Sequence, residues 1–381
     1  ARGTLSPATV RIHRPARTHR GVTHMPGTFS QLNGHEQVVF GHDEASGLRC
    51  IIAIHSTVLG PALGGTRMYP YDSEEDALVD VLRLSRGMTY KSAVTGLDLG
   101  GGKAVIIGDP ATDKTEALLR AYGRMIESLN GRYVTACDIG TYSADMGIIG
   151  RETRWATGSE VVEGGSGDSG VMTALGTYVG IKACAERVFD DASMAGRHVA
   201  IQGVGKVGRR LAEHLAEEGC KLTVADVNED ATGDLADRLG ADVVAVEDIH
   251  AVDADVFSPN AMGAVINDAT IPQLQCRIVA GAANNQLADA RHGQALADAG
   301  VLYAPDYVIN AGGVIQVGDE LHPDGYSADR VRARVERIGE RLAAVFVTAE
   351  REGLPTAEAA DHVAEERMAA VGRLRSFHLP R

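Results

Sequence analysis

The run from 198 to 226, HVAIQGVGKVGRRLAEHLAEEGCKLTVAD, decides the fold. It opens with an apolar strand at 198–202 and passes directly into Gly203-Val204-Gly205-Lys206-Val207-Gly208, a GxGxxG. The helix that follows sets Val207, Leu211 and Leu215 on one face, and 222–226 reads as the next strand. GxGxxG by itself is common in glycine-rich turns; a strand just before it and a helix just after make it a dinucleotide fingerprint. The first glycine allows the tight turn, the second lets backbone approach a pyrophosphate, and the third lets helix and strand pack closely. Unpaired N–H groups at the helix N-terminus then face the phosphates, with Lys206 and Val207 in the first turn. Asp226 ends the second strand, where an acid about 20 residues past the turn can bind ribose hydroxyls and repel a 2′-phosphate. That favours NAD over NADP. The alternatives are Asp226 as a turn residue capping the next helix, and NADP retained through Arg209 and Arg210, which otherwise read as solvated.

Outward from this unit, further strand-like runs at 242–246, 255–258, 277–281 and 301–304 alternate with helical or loop segments. Six such runs in alternation are what a doubly wound parallel sheet requires. A helix from about 171 to 188 leads into them, after a stretch rich in glycine and serine. A second α/β region lies upstream, with strands at 49–55, 103–108 and 132–137 and a helix near 114–129. Another helix there starts at Ser73, with Glu74, Glu75 and Asp76 in its first turn and Leu78, Val81, Leu82 and Leu84 at helical spacing. The 381 residues suit two domains. The expected class is α/β, with an N-terminal α/β substrate domain and a Rossmann-type NAD-binding domain. The expected division is a tail at 1–24, a substrate domain at 25–157, the dinucleotide domain at 158–354 and a helical segment at 355–381 that returns to the first domain.

Composition excludes several classes. A net charge of −14 argues against a nucleic-acid partner, which requires a basic footprint. No run of 18 apolar residues occurs, so no membrane span is expected. Five cysteines without a CxxC pair suit neither a zinc site nor a disulfide framework, and no metal is expected. Reduced thiols suit a cytoplasmic protein. Residues 1–24 carry five arginines and no acid, and read as a disordered or extraneous tail before Met25; an organelle transit peptide is the alternative.

Several features outside this unit carry polar chemistry. Gly100-Gly101-Gly102-Lys103 is not a phosphate loop, because Leu97 and Ala104 stand where a Walker A motif needs Gly and Ser/Thr. It brings a lysine close to something without side-chain bulk. Lys91 precedes it by one short segment, and mutual repulsion with burial would depress either amine toward neutrality, making it usable as a base. Gly60 to Thr66 reads as a tight, backbone-exposing segment, and Asp138, Asn284 and Asn285 lie just past strand ends.

The blocks GPALGGTR (60–67), SEEDAL (73–78), GMTYK (87–91), GLDLGGGKAVIIGDP (96–110), GRYVTACDIGT (131–141), GVGKVG (203–208), GAANNQL (281–287) and YAPDYVINAGGVI (303–315) resemble the glutamate/leucine/phenylalanine/valine dehydrogenase family, most nearly its leucine and valine members. The likeness runs from about His35 to Glu320. By this resemblance Lys103 is the catalytic lysine, Lys91 pairs with the substrate carboxylate, and Asp138 handles protons at the amino group. Asn285 and the backbone of Gly64 and Gly65 orient substrate, and Thr173 lies near the nicotinamide carboxamide. Leu63, Ala136, Val314 and Val317 form a side-chain pocket whose apolar character disfavours glutamate. The implied reaction is NAD-dependent, reversible oxidative deamination of valine, leucine or isoleucine to a 2-oxo acid and ammonia, in a homo-oligomer of two to eight subunits. Lys103, neutral, activates water, and Asp138 assists departure of ammonia. Cys137 resembles the valine members, whereas leucine members carry Glu there, and Asn260 replaces a usual Cys. The competing readings are a phenylalanine-type enzyme, a non-catalytic NAD-binding paralogue, and a hydroxy-acid dehydrogenase, for which no matching His cluster is seen.

Overall fold

The computed structural model describes residues 32, 34–163, 165–374 and 378; the expectation for 1–24 lies outside them. The N-terminal half is a five-stranded sheet built from β1 (Gln37–Asp43), β2 (Leu48–Ser56), β3 (Ala62–Tyr69), β4 (Gly100–Ile107) and β5 (Tyr133–Cys137), in the order β1-β2-β4-β3-β5. β1 and β4 run antiparallel to β2, while β3 runs parallel to both β4 and β5. Helix α1 (Glu74–Val94) starts at Ser73, whose hydroxyl accepts the Asp76 N–H, so the expected cap and acidic first turn are both present. Helices α2 (Glu116–Glu127) and α3 (Ser143–Gly150) follow.

Of the segment read as tight and backbone-exposing, Gly60 to Thr66, the residues from Ala62 onward are instead the start of the interior strand β3. Glycines normally weaken a strand, but here neighbouring backbones come too close for a side chain. A Cβ on Gly64 would lie 1.8 Å from the Gly102 carbonyl oxygen, and one on Gly65 2.4 Å from that of Cys137. The glycines before Lys103 are likewise packed rather than flexible: a Cβ on Gly101 would meet the Thr89 backbone nitrogen of α1 at 2.0 Å. α1 therefore lies directly on β4.

The second half is a six-stranded, wholly parallel sheet of β6 (His198–Gln202), β7 (Lys221–Ala225), β8 (Asp242–Val243), β9 (Val256–Pro259), β10 (Ile278–Val279) and β11 (Leu302–Tyr303). Its order, β11-β10-β9-β6-β7-β8, is the doubly wound arrangement, with the strand order reversing at β6. All six expected runs form strands, although β8, β10 and β11 pair over only two residues each. Helix α4 (Gly170–Phe189) leads in, and α5 (Lys206–Glu217) and α6 (Glu229–Leu239) follow β6 and β7. Ile201, Val224, Val256 and Ile278 are fully buried between the sheet and its helices.

After β10 come α7 (Arg291–Asp298), the short α8 (Asp306–Ile309), α9 (Gly312–Asp319), α10 (Ala328–Glu336), α11 (Ile338–Glu352) and α12 (Thr356–Gly372). α12 packs back onto α1. Its Arg367 donates to the carbonyls of Ser92 (3.3 Å), Ala93 (3.1 Å) and Leu97 (2.6 Å), tying α12 to the end of α1 and the turn after it.

Candidate active site

The GVGKVG turn has the shape its glycines imply. Gly203 has φ +87°, and a Cβ there would lie 2.6 Å from Ala261 Cβ. A Cβ on Gly208 would lie 1.9 Å from the Gly203 carbonyl oxygen, so this glycine lets α5 sit on the turn. Around Gly205, by contrast, a Cβ would meet nothing within 4 Å, leaving an open approach at the N-terminus of α5. A dinucleotide pyrophosphate fits that opening. Lys206 is exposed and Val207 half-buried in the first turn. Asp226 Oδ2 accepts the Val204 N–H at 2.7 Å, which holds the acid against the turn. The capping alternative falls to its neighbour, since the Asn228 side chain accepts the Ala231 N–H and caps α6. Arg209 is exposed as expected, but Arg210 is not simply solvated: it bonds Asp168 at 2.9 Å. Asn260 bridges strand ends, donating to the Ser258 carbonyl and accepting the Ala282 N–H, both at 2.9 Å.

A cleft of about 840 Å³ brings together residues from both sheets. β3 contributes Leu63, Gly64 and Gly65; α1 contributes Lys91, and β4 contributes Lys103. Ala136 and Asp138 come from the end of β5, Asn285 from the loop after β10, and Val314 and Val317 from α9. Lys206, in the turn, lines the same cleft. Thr173 is not among the lining residues; its hydroxyl donates to the Ser169 carbonyl at 2.9 Å, beside Gly313.

Register explains the central pair. Thr66 of β3 faces Ala104 on one side and Cys137 on the other, which sets Lys103 beside Gly65 on β4 and Asp138 just past the end of β5, where a Cβ on Gly65 would lie 3.0 Å from Asp138 Cβ. With no side chain between them, Lys103 Nζ and Asp138 Oδ1 meet at 3.2 Å. Lys103 is buried, and burial lowers its pKa below the usual lysine value, with Arg67 adding to the shift and Asp138 opposing it. Burial would raise Asp138, but Lys103 and Arg67 outweigh it and hold the carboxyl below its ordinary value. Arg67 is a residue that the residue-by-residue reading missed. Its Nε donates to Asp138 Oδ2 at 2.9 Å and Nη1 to Asp80 at 2.8 Å.

Lys91 is pushed down to about 8, first by burial and then by Lys103, while Asp306 and Asp138 draw it back up. Asp306 was also missed. It lines the cleft, is half-buried, and accepts the N–H groups of Tyr307 (2.6 Å) and Gln286 (3.2 Å). Both residues sit inside quoted blocks, GPALGGTR and YAPDYVINAGGVI, but their partners are remote in the chain. At the apolar end Leu63 is fully buried and Ala136 nearly so, with Val314 and Val317 half-buried. None of these four offers a cation to a side-chain carboxylate. The strip after β5 is pinned there by Glu320, which accepts the N–H groups of Gly158 (3.0 Å) and Ser166 (2.9 Å).

A glycine-walled lysine–aspartate pair facing a dinucleotide turn places the protein among the two-domain amino-acid dehydrogenases. Residues 35–155 match the Glu/Leu/Phe/Val dehydrogenase dimerisation domain, and 164–251 and 227–375 match Glutamate/Leucine/Phenylalanine/Valine dehydrogenase. The chain belongs to this family, whose members are NAD(P)-dependent. It is 54% identical to a valine dehydrogenase of Streptomyces coelicolor over 344 residues, 89% of this chain and 94% of the relative. It is 53% identical to a leucine dehydrogenase of Geobacillus stearothermophilus over 348 residues, 91% and 94% of the two chains. Among solved structures, L-tryptophan dehydrogenase from Nostoc punctiforme superposes with TM-score 0.81 at 44% identity, covering 91% of this chain and 99% of the other. The hetero-hexameric glutamate dehydrogenase from Thermus thermophilus gives 0.76 at 25% identity, covering 93% of each. Among the described residues no helix is long and apolar enough to cross a membrane.

Proposed function

We propose that the protein catalyses NAD-dependent, reversible oxidative deamination of branched-chain L-amino acids, with valine preferred, to 2-oxo acids and ammonia. The observation that carries this is the buried Lys103–Asp138 pair at 3.2 Å in a cleft whose far end is apolar. Lys91 binds the substrate carboxylate, with Asn285 and the backbone of Gly64 and Gly65 orienting the amino acid, and Leu63, Ala136, Val314 and Val317 receive its side chain. A bound dinucleotide, held by Gly203, Gly205, Lys206, Val207, Gly208, Asp226 and Thr173, supplies the acceptor for the substrate's Cα hydride. Lys103 in its neutral form takes a proton from the water that attacks the resulting iminium carbon. Asp138, ionised beside Lys103, relays a proton to the nitrogen that leaves as ammonia. Arg67 keeps that carboxylate in place.

The Asp226 carboxylate, held by Val204 N–H, supports NAD over NADP, because a 2′-phosphate would meet a fixed negative charge. One methylene in an apolar pocket discriminates by only ~1–3 kcal/mol, so activities on valine, leucine and isoleucine overlap. The proposed division is 25–157 for substrate, 158–354 for dinucleotide and 355–381 returning to the first domain, supported by α12 on α1. A cytoplasmic homo-oligomer is part of the reading; the match of 35–155 to a dimerisation domain supports association.

Initial rates with NAD and NADP across valine, leucine, isoleucine, phenylalanine and glutamate test the assignment. The branched-chain acids with NAD are expected to lead; a lead for phenylalanine would make the enzyme phenylalanine-type. Lys103→Ala is expected to lower valine-dependent NADH formation by about 10²–10⁴-fold, the usual contribution of a positioned base. Full activity in that variant removes Lys103 from its role.

A further inference from the structure

We infer that Asp306 is the positioning residue of the substrate-carboxylate site, its carboxylate holding the turn at Asn285 in register with the ammonium of Lys91. This rests on the role proposed for Lys91. A carboxylate partly withdrawn from water needs hydrogen-bond donors, and here the backbone supplies them. Oδ1 accepts the Tyr307 N–H at 2.6 Å and Oδ2 the Gln286 N–H at 3.2 Å. The second of these bonds fixes the peptide just after Asn285, which has φ +52°, a left-handed conformation that Asn adopts more readily than most residues other than glycine. One carboxylate thus ties the loop after β10 to the start of α8.

The same pair of positions is braced from behind. Tyr307, next to Asp306, donates its hydroxyl to Asp361 of α12 at 2.6 Å. Tyr90, next to Lys91, donates to Glu365 of the same helix at 2.7 Å. α12 therefore braces the residues next to the acid and the lysine through two tyrosine–carboxylate bonds. Asp306 and Lys91 form no direct ion pair within 4.0 Å among the described residues, although Asp306 is the largest charge that favours the ammonium. The charged groups facing Lys91 are Asp306 from α8, Lys103 from β4 and Asp138 after β5. Remove Asp306 and the lysine keeps its burial and its repulsion by Lys103, so it gives up its proton at lower pH. The form that binds a carboxylate is the protonated one.

The test is steady-state kinetics with L-valine and NAD on full-length Asp306→Asn and Tyr307→Phe, across pH. Asp306→Asn is expected to raise KM for valine about 10- to 100-fold, as loss of a charge-assisted contact does. Its kcat should fall much less, its NADH affinity should be unchanged, and the alkaline limb of kcat/KM should move to lower pH. Tyr307→Phe leaves the cleft charges intact, so it should raise KM by a few-fold with the limb in place. A wild-type KM and limb in Asp306→Asn overturn the inference, as does a fall in kcat alone. Should Asp306→Asn fail to fold, a wild-type KM in Tyr307→Phe overturns it. Failure of the underlying reading looks different: Lys91→Ala would then retain the wild-type KM whatever Asp306 does.

Discussion

The two glycines at 205 and 208 should respond oppositely to the same substitution. In Gly208→Ala the new Cβ would start 1.9 Å from the Gly203 carbonyl oxygen, where ordinary contact is 3.4–4 Å. Both partners are backbone, so α5 or the turn must move by more than about 1 Å, and overpacking of this kind costs ~1–3 kcal/mol. At roughly 2–4 °C per kcal/mol for a domain of about 200 residues, a cost at the upper end lowers Tm by about 6–12 °C. In Gly205→Ala nothing lies within 4 Å, and φ is −69°, which any residue adopts. Its Tm should stay within about 2 °C, because an unstrained alanine also narrows the unfolded ensemble. NADH affinity should nevertheless fall about 10–100-fold in Gly205→Ala, since a methyl group there displaces backbone from a charged phosphate, a hydrogen bond worth ~1.5–3 kcal/mol. Thermal unfolding without ligand and NADH fluorescence titration separate the two effects. A Tm loss in Gly205→Ala equal to that in Gly208→Ala, or unchanged NADH affinity in Gly205→Ala, would refute the reasoning.

Replacing the ribose-facing acid, Asp226→Ser, should raise the ratio of NADP to NAD kcat/KM by at least about tenfold, on the scale of one removed charge repulsion; an unchanged ratio returns Asp226 to a purely structural role. His55 tests the substrate half. Burial first, then the charges of His35 and Arg86, depress it from 6.5 to about 4, and its Nδ1 lies 2.9 Å from the Thr89 hydroxyl. A folded pKa below the unfolded one means that the stability is present above pH 6.5 and is lost as pH falls toward 4. Tm should therefore drop over that window less steeply in His55→Gln than in wild type; parallel curves would contradict the assignment.

The dinucleotide half was largely legible because its signal is local. A strand, three glycines and a helix within one short run satisfy a turn that any chain of that pattern must make, and the apolar runs of β6, β7, β9 and β10 bury themselves in the sheet. The substrate half was less so. β3 contains Gly64 and Gly65, which read as a turn, and only the approach of the Gly102 and Cys137 carbonyls shows that glycine is required inside a strand. The edge strand β1 went unread; QVVFGHD mixes buried and open positions, and Phe40 remains 61% exposed. Arg210 was read as solvated because its partner, Asp168, lies in a different segment.

By itself the order of residues determined the class of the protein: the nucleotide turn, the acid that ends the second strand, and the lysines set in glycine-rich surroundings are all written in short stretches of chain. Tertiary structure decided how those groups are charged and which of them meet. Whether Lys103 faces Asp138, whether Arg67 joins them, and whether Asp306 stands opposite Lys91 depend on strand register and on α12 returning to α1. The physical reason is that a side chain's protonation follows from burial and from charges a few ångströms away in space, and separation along the chain carries neither.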